Sequence, residues 1–193
     1  MLGLHLPSDP RWVNLAEKSL EEILTDHAYC EQKATSACIS LIQQYPDKYE
    51  LVKKVSPVVS EEWSHFRMVL GELEKRGLTL GHQRKDRYVE QLQKIRKKDG
   101  SAEESLCDKL LMCALIEARS CERFRLLSEA LSDDSLKNFY RKFMISEAGH
   151  YRMFIDLAME YGKENEVKNR WKWWLNQEAQ IMKTLEIRGD LIH

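Results

Sequence analysis

The chain has 193 residues, 32% of them charged and 43% hydrophobic, with a formal net charge of −1. That length suits one domain, 1–193, with a sizeable core, and that charge balance argues against a strongly basic nucleic-acid binder. No stretch approaches the roughly 20 apolar residues of a transmembrane helix, and the start Met-Leu-Gly-Leu-His-Leu-Pro is too short for a signal-peptide core, so a cytoplasmic protein away from membranes is expected.

Only 8 Gly and 4 Pro leave little for turns. The pattern predicts six helices, with a further basic helical piece in the longest connection. Asp9 as N-cap and Pro10 at the first helical position open a short helix. It leads into a long one over about 18–45, whose apolar stripe reads Leu20, Leu24, Ala28, Glu31, Ala34, Cys38, Leu41, Ile42, Tyr45. Pro46-Asp47 breaks the chain and caps the next helix, about 47–76, with Gly77 as its stop. Its stripe is Leu51, Val55, Val58, Glu62, His65, Val69, Leu73. Pro57 predicts a kink one turn before Glu62. The segment 77–102 carries the basic piece, roughly 84–97. Ser101 caps a helix over about 102–131, with Glu103 and Glu104 in its first turn. Its stripe is Leu106, Leu110, Cys113, Glu117, Cys121, Phe124, Leu131. Ser132-Asp133-Asp134 begins the helix over about 133–161, ended by Gly162, with the stripe Leu136, Tyr140, Phe143, Glu147, His150, Phe154, Leu157. A C-terminal helix, about 164–188, holds Trp171, Trp173 and Trp174 and stops at Gly189.

Two Glu-x-x-His pairs stand out, Glu62-Trp-Ser-His65 and Glu147-Ala-Gly-His150. Side chains three residues apart leave one face of a helix together. Each pair has a glutamate far upstream, Glu31 before the first and Glu117 before the second. One such pair means little in a chain with 31 acidic residues and 6 His. Here all six residues fall on apolar stripes of the three-four alternation that faces a core. A buried, unpaired carboxylate costs several kcal/mol unless it protonates, pairs or binds metal. Any one of them is explained by a core hydrogen bond or a stripe edge. Four helices interrupted near their middles, in two matched halves, need a shared cause. Four carboxylates and two imidazoles are the ligand inventory of a dimetal centre in a helix bundle.

The expected architecture is all-α: a ferritin-like four-helix bundle with one long crossover and additional flanking helices. Each histidine would be terminal on one metal, with Glu31 beside His65, Glu117 beside His150, and Glu62 and Glu147 shared. Oxygen and imidazole ligands suit iron or manganese better than zinc, and iron would leave positions open for dioxygen. Glu61 and His27 lie where they would orient an imidazole or a glutamate; a surface salt link or a core hydrogen bond explains them equally. Glu122, five residues past Glu117, falls off its face.

The five cysteines, at 30, 38, 107, 113 and 121, contain no Cys-x-x-Cys and read as reduced thiols, those at 38, 113 and 121 packed in the core. Basic residues cluster at Arg84, Lys85 and Arg87, at Lys94, Arg96, Lys97 and Lys98, and at Lys168, Arg170 and Lys172. A solvated helix face explains any one cluster; together they offer a local positive surface.

At the ligand-bearing segments the chain closely resembles the MiaE family of tRNA hydroxylases. The resemblance lies in Asp26-His-Ala-Tyr-Cys-Glu31-Gln-Lys-Ala, Glu61-Glu62-Trp-Ser-His65, Ile116-Glu117-Ala-Arg-Ser-Cys-Glu-Arg-Phe124 and Ser146-Glu147-Ala-Gly-His150-Tyr. It covers about residues 10–162. The run Glu-Ala-Arg-Ser-Cys-Glu-Arg-Phe is its most specific part. It implies a non-haem di-iron monooxygenase that hydroxylates the isopentenyl group of methylthio-isopentenyl-adenosine beside the anticodon. Dioxygen would be the co-substrate and an unidentified external electron donor a partner. It also implies that Glu31, Glu62, His65, Glu117, Glu147 and His150 ligate two iron ions. Gly149 departs from the bulkier residue that pattern leads one to expect. The tRNA would meet phosphate contacts at Arg84, Lys85, Arg87, Lys94, Lys97, Lys168, Arg170 and Lys172, and Trp171 or Trp174 would stack on a base or pack in the core. A monomer or small oligomer is expected. The same ligand inventory also serves a rubrerythrin-like peroxidase, a manganese catalase, an oxygenase of a small lipid or an iron-storage ferritin; a metal-free helical interaction module is the remaining alternative.

Overall fold

The structure is a computed structural model that describes residues 2–193. Among these residues it contains seven helices and no strand. They sort into two compact units, one made of residues 11–85 and 188–192, the other of residues 2–10, 86–187 and 193.

The first unit holds α1 (Arg11–Lys18), α2 (Leu20–Gln44) and α3 (Tyr49–Lys75). Helices α2 and α3 pack along one another as a hairpin. All seven residues of the stripe written for the second of these helices are buried, from Leu51 to Leu73. On α2 the middle of the stripe is buried, while Leu20, Ala34, Ile42 and Tyr45 lie half-exposed toward the ends and edge. Pro57 sits inside an unbroken α3. Helix α3 begins after Lys48, which makes no side-chain cap bond, so Asp47 is not its cap. It ends as expected at Gly77, whose φ of 67° is open to glycine without cost. There the Leu78 amide donates to Leu73 O and the Gly77 amide to Glu74 O, both at 3.0 Å. These two bonds satisfy carbonyls the helix end would otherwise strand.

The C-terminal tail closes this unit. The Trp12 indole donates to Leu191 O at 3.3 Å, and the Ile192 amide donates to Asp26 Oδ2 at 2.7 Å. A Cβ on Gly189 would lie 2.2 Å from the Leu15 carbonyl carbon. Gly189 is therefore a close-approach residue rather than a helix stop. The last helix already ends at Thr184.

The second unit holds α4 (Arg87–Ile95), α5 (Ala102–Ala130), α6 (Asp134–Tyr161) and α7 (Glu164–Thr184). Helices α5 and α6 form the second hairpin, and α7 packs on α4, α5 and α6. The Asp86 carboxylate caps α4, accepting from the Val89 amide at 3.0 Å. Ser101 and Glu104 form a reciprocal capping box on α5. Asp133 caps α6 through the Ser135 and Leu136 amides. Every residue of the two stripes written for α5 and α6 is buried. Helix α5 is buried along most of its length, Arg119 and Asp108 included, and within its unit α6 and α7 both pack on it.

Candidate metal centre

In the first unit, α2 presents Glu31 and α3 presents Glu62 and His65. All three are buried, at 3%, 1% and 8% exposure. One ligand atom from each lies within 4.8 Å of the others. His65 Nδ1 is 3.3 Å from Glu31 Oε2 and 3.5 Å from Glu62 Oε2. In the second unit, α5 presents Glu117 and α6 presents Glu147 and His150, again buried and again within 4.8 Å of one another. Each hairpin thus gathers two carboxylates and one imidazole, the three-residue spacing placing the second carboxylate and the imidazole on one helix face.

Charge inside the first triad is unusual for a core. Burial and the neighbouring Glu62 carboxylate push Glu31 well above the carboxylate range. Burial works to lower His65, but the Glu31 and Glu62 carboxylates outweigh it and raise the imidazole to about 10. Without a metal, protons take the place of a cation among these groups. Two oxygen donors and one imidazole, dry and converging, fit a divalent first-row ion such as iron or manganese.

The environment of the first triad is ordered by a second histidine. His27, fully buried on α2, places Nε2 2.8 Å from Glu31 Oε1. Glu61 is half-exposed, with Oε1 3.9 Å from His65 Nε2. Gly149 is exposed on α6, and a Cβ there would meet nothing within 4 Å. Its departure from the expected residue therefore leaves the interior around His150 untouched. Burial comes first in pushing the Cys107 and Cys121 thiols up to about 11 and Cys113 to about 12, so these remain neutral core groups rather than ligands.

The basic residues are dispersed. In the first unit, Arg84 donates to Glu22 O and lies 3.5 Å from Asp190, while Lys85 is exposed. In the second, Arg87, Lys94 and Lys172 are exposed, Lys97 pairs with Glu104, and Lys168 pairs with Glu164. Arg170 is held by Asp108, Nε to Oδ1 at 2.6 Å, and its guanidinium lies 3.6 Å from the Trp173 ring centroid. Trp174 is buried and donates to Asp108 Oδ1 at 2.8 Å, which makes it a core residue; Trp171 is half-buried. Lys97, Asp108, Arg170 and Trp173 line a cavity of about 770 Å³ that also contains Glu103, Glu104, Lys163 and Glu166. Its four acids outnumber its three bases, so it is no ready-made phosphate site.

A second buried polar cluster escapes the stripe argument. Arg119 donates to Glu178 Oε1 from Nε at 2.9 Å and from Nη2 at 2.6 Å, to Glu122 Oε2 at 2.7 Å, to Ser8 Oγ at 3.1 Å and to Leu6 O at 2.9 Å. Glu122 is thus turned away from Glu117, as its spacing predicts. The only sequence signal for this cluster is the motif Glu-Ala-Arg-Ser-Cys-Glu-Arg-Phe itself. Its Arg and second Glu tie α5 to the N-terminal segment and to α7.

Comparison with known proteins agrees with this geometry. A protein of Pseudomonas putida described as tRNA 2-(methylsulfanyl)-N(6)-isopentenyladenosine(37) hydroxylase is 36% identical over 164 residues, 85% of this chain and 78% of that protein. A protein of Salmonella typhimurium with the same description is 27% identical over 228 residues, 93% of this chain and 83% of its own. Among solved structures, a Synechococcus protein described as having aldehyde deformylating oxygenase activity superposes with a TM-score of 0.91 at 29% identity, covering 98% of this chain and 93% of that one. The fold is therefore the all-helical ferritin-like one. The family model tRNA-(MS[2]IO[6]A)-hydroxylase (MiaE) matches residues 3–191, and the chain belongs to that family of oxygen-dependent tRNA hydroxylases.

Proposed function

We propose that the protein hydroxylates the isopentenyl group of methylthio-isopentenyl-adenosine beside the anticodon of tRNA. The observation that carries this is the pair of buried Glu-Glu-His triads in a chain of the tRNA-hydroxylase family. We read the two triads as one dimetal centre, residues 1–193 as one domain, and Glu31, Glu62, His65, Glu117, Glu147 and His150 as its six ligands. Four carboxylates against two divalent ions give a neutral cluster, which removes most of the cost of burying the charge. Two iron ions, when bound, supply the activation of dioxygen that a C–H hydroxylation needs. One oxygen atom enters a methyl C–H bond and the other leaves as water, with two electrons from an external donor and two protons.

The chain's own residues prepare the site. His65 turns Nδ1 toward Glu31 and Glu62, so Nδ1 is the nitrogen offered to a metal and Nε2 the one turned to Glu61. His27 engages Glu31 Oε1 and leaves Oε2 on the side of His65. This holds a flexible carboxylate in one orientation before a metal arrives. The adenosine must leave its stack to reach buried residues, a cost that is smaller in a single-stranded loop than in a duplex. No described helix is long and apolar enough to cross a membrane. A cytoplasmic monomer or small oligomer fits a tRNA substrate.

Metal analysis after anaerobic iron loading tests the centre: two ions per chain are expected, and none above background would leave only a helical module. Elution as a large cage on size-exclusion chromatography would favour an iron-storage protein. In cells that make the isopentenyl nucleoside but cannot hydroxylate it, expression of this chain should produce the hydroxylated form. Glu117→Ala should fold and produce none. Full hydroxylation by that variant would remove Glu117 from the ligand set.

A further inference from the structure

The metal chemistry leaves one feature of α3 unused. Trp63 stands between Glu62 and His65 in sequence, yet it is 47% exposed. Its ring stacks on that of Phe66, with centroids 4.9 Å apart and planes inclined by 25°. Arg67, one turn beyond Trp63 on the same face, is exposed and makes no ion pair among the described residues. Ser60 and Ser64 beside it are exposed as well. A helix rises about 1.5 Å per residue, so the Trp63 ring leaves α3 at the level of the Glu62 and His65 side chains.

An exposed indole braced by a second ring, with a guanidinium one turn away, is the combination that binds unstacked nucleobases. Every base has a face for the rings, and the cation takes the adjoining phosphate. The patch is small and mixed with hydroxyls, unlike the broad apolar face of a permanent subunit interface. Of the other strongly exposed hydrophobic side chains, Ile145 has no ring, and Tyr49, with Lys53 Nζ 5.8 Å from its ring centroid, stands at the start of α3, away from the level of Glu62 and His65, its lysine also 3.7 Å from Glu50. We propose that Trp63, braced by Phe66, is the stacking platform for the base of a nucleotide flanking the target adenosine, with Arg67 on its phosphate. This rests on the tRNA reading above and adds to it the residues that hold the loop.

The test uses the full chain and a fluorescently labelled anticodon stem-loop RNA carrying the modified adenosine, with affinity read by anisotropy at several salt concentrations. Trp63→Ala should bind about tenfold more weakly or worse. Trp63→Phe should keep most of the affinity, and Trp63→Leu, apolar but without a ring, should behave as alanine does. Arg67→Gln should reduce the slope of log K against log salt by about 0.7. Unfolding midpoints and metal content should not change. Equal binding by wild type and Trp63→Ala, or full rescue by leucine, would overturn the platform while leaving the tRNA reading in place. A variant that changed only the elution volume would make the patch a contact between copies and overturn it too. A wild-type chain that bound no RNA would overturn both.

Discussion

The imidazole of His65 meets two carboxylates on its Nδ1 side, and this arrangement sets the pH behaviour of the metal-free protein. An imidazole raised to about 10 contributes stability that is complete below its unfolded value near 6.5 and is lost as pH rises through 10. Glu31 is raised as well, so its contribution also falls as pH rises above the carboxylate range. The metal-free protein should therefore melt at progressively lower temperature from about pH 6.5 to 10. With metal the trend should reverse at the acid end, because protons compete with the ion. Melting curves with and without chelator across that range check both signs; a flat metal-free profile would contradict them. His27→Ala should lower metal affinity about 10- to 100-fold, since the Glu31 carboxylate loses its fixed partner. Gly149→Ala should stabilise α6 by about 0.5–1 kcal/mol with unchanged hydroxylation, because the position is helical, exposed and open. At this scale the burial of the six Glu and His residues was legible, since a polar residue in the middle of an apolar stripe is visible in sequence. Asp108, Arg119 and Glu178 were not. Their burial depends on partners 59 to 113 residues away, and no local periodicity records that.

Helix ends obeyed local chemistry where a side chain could reach the backbone. Ser101, Asp133 and Gly77 all act as their residue types predict. Ser101→Ala should cost about 1 kcal/mol in denaturant unfolding, because it removes the bond to the Glu104 amide and half of a reciprocal pair. The errors have equally physical causes. Asp47 has the right chemistry for a cap but sits one residue early, and α3 starts without a side-chain cap. Gly189 has the composition of a helix stop, but its lack of a side chain serves the approach to Leu15 instead. The C-terminal helix, expected to run to about 188, ends at Thr184, four residues earlier.

The whole chain is two hairpins with flanking helices, and in each the long stripes paired as the sequence predicts. What the stripes cannot show is how the outer helices are fastened. Arg119 and Glu178, both with fully buried side chains, do this in the second unit. The pair is no large net gain: burial outweighs Arg119 and still leaves Glu178 above the usual carboxylate range. The adjacent arginine-bound carboxylates nevertheless raise Arg119. Such pairs are costly mainly to break. Arg119→Met should therefore lose about 3–5 kcal/mol of stability, and the loss should shrink when Glu178→Leu is added.

For the chain as an enzyme, the most direct measurement is mass spectrometry of nucleosides from tRNA incubated with the iron-loaded protein, a reductant and isotopically labelled dioxygen. One labelled oxygen atom on the isopentenyl group of the methylthio-adenosine is the result expected. An unchanged nucleoside, with both metals bound and the reductant consumed, would contradict the account.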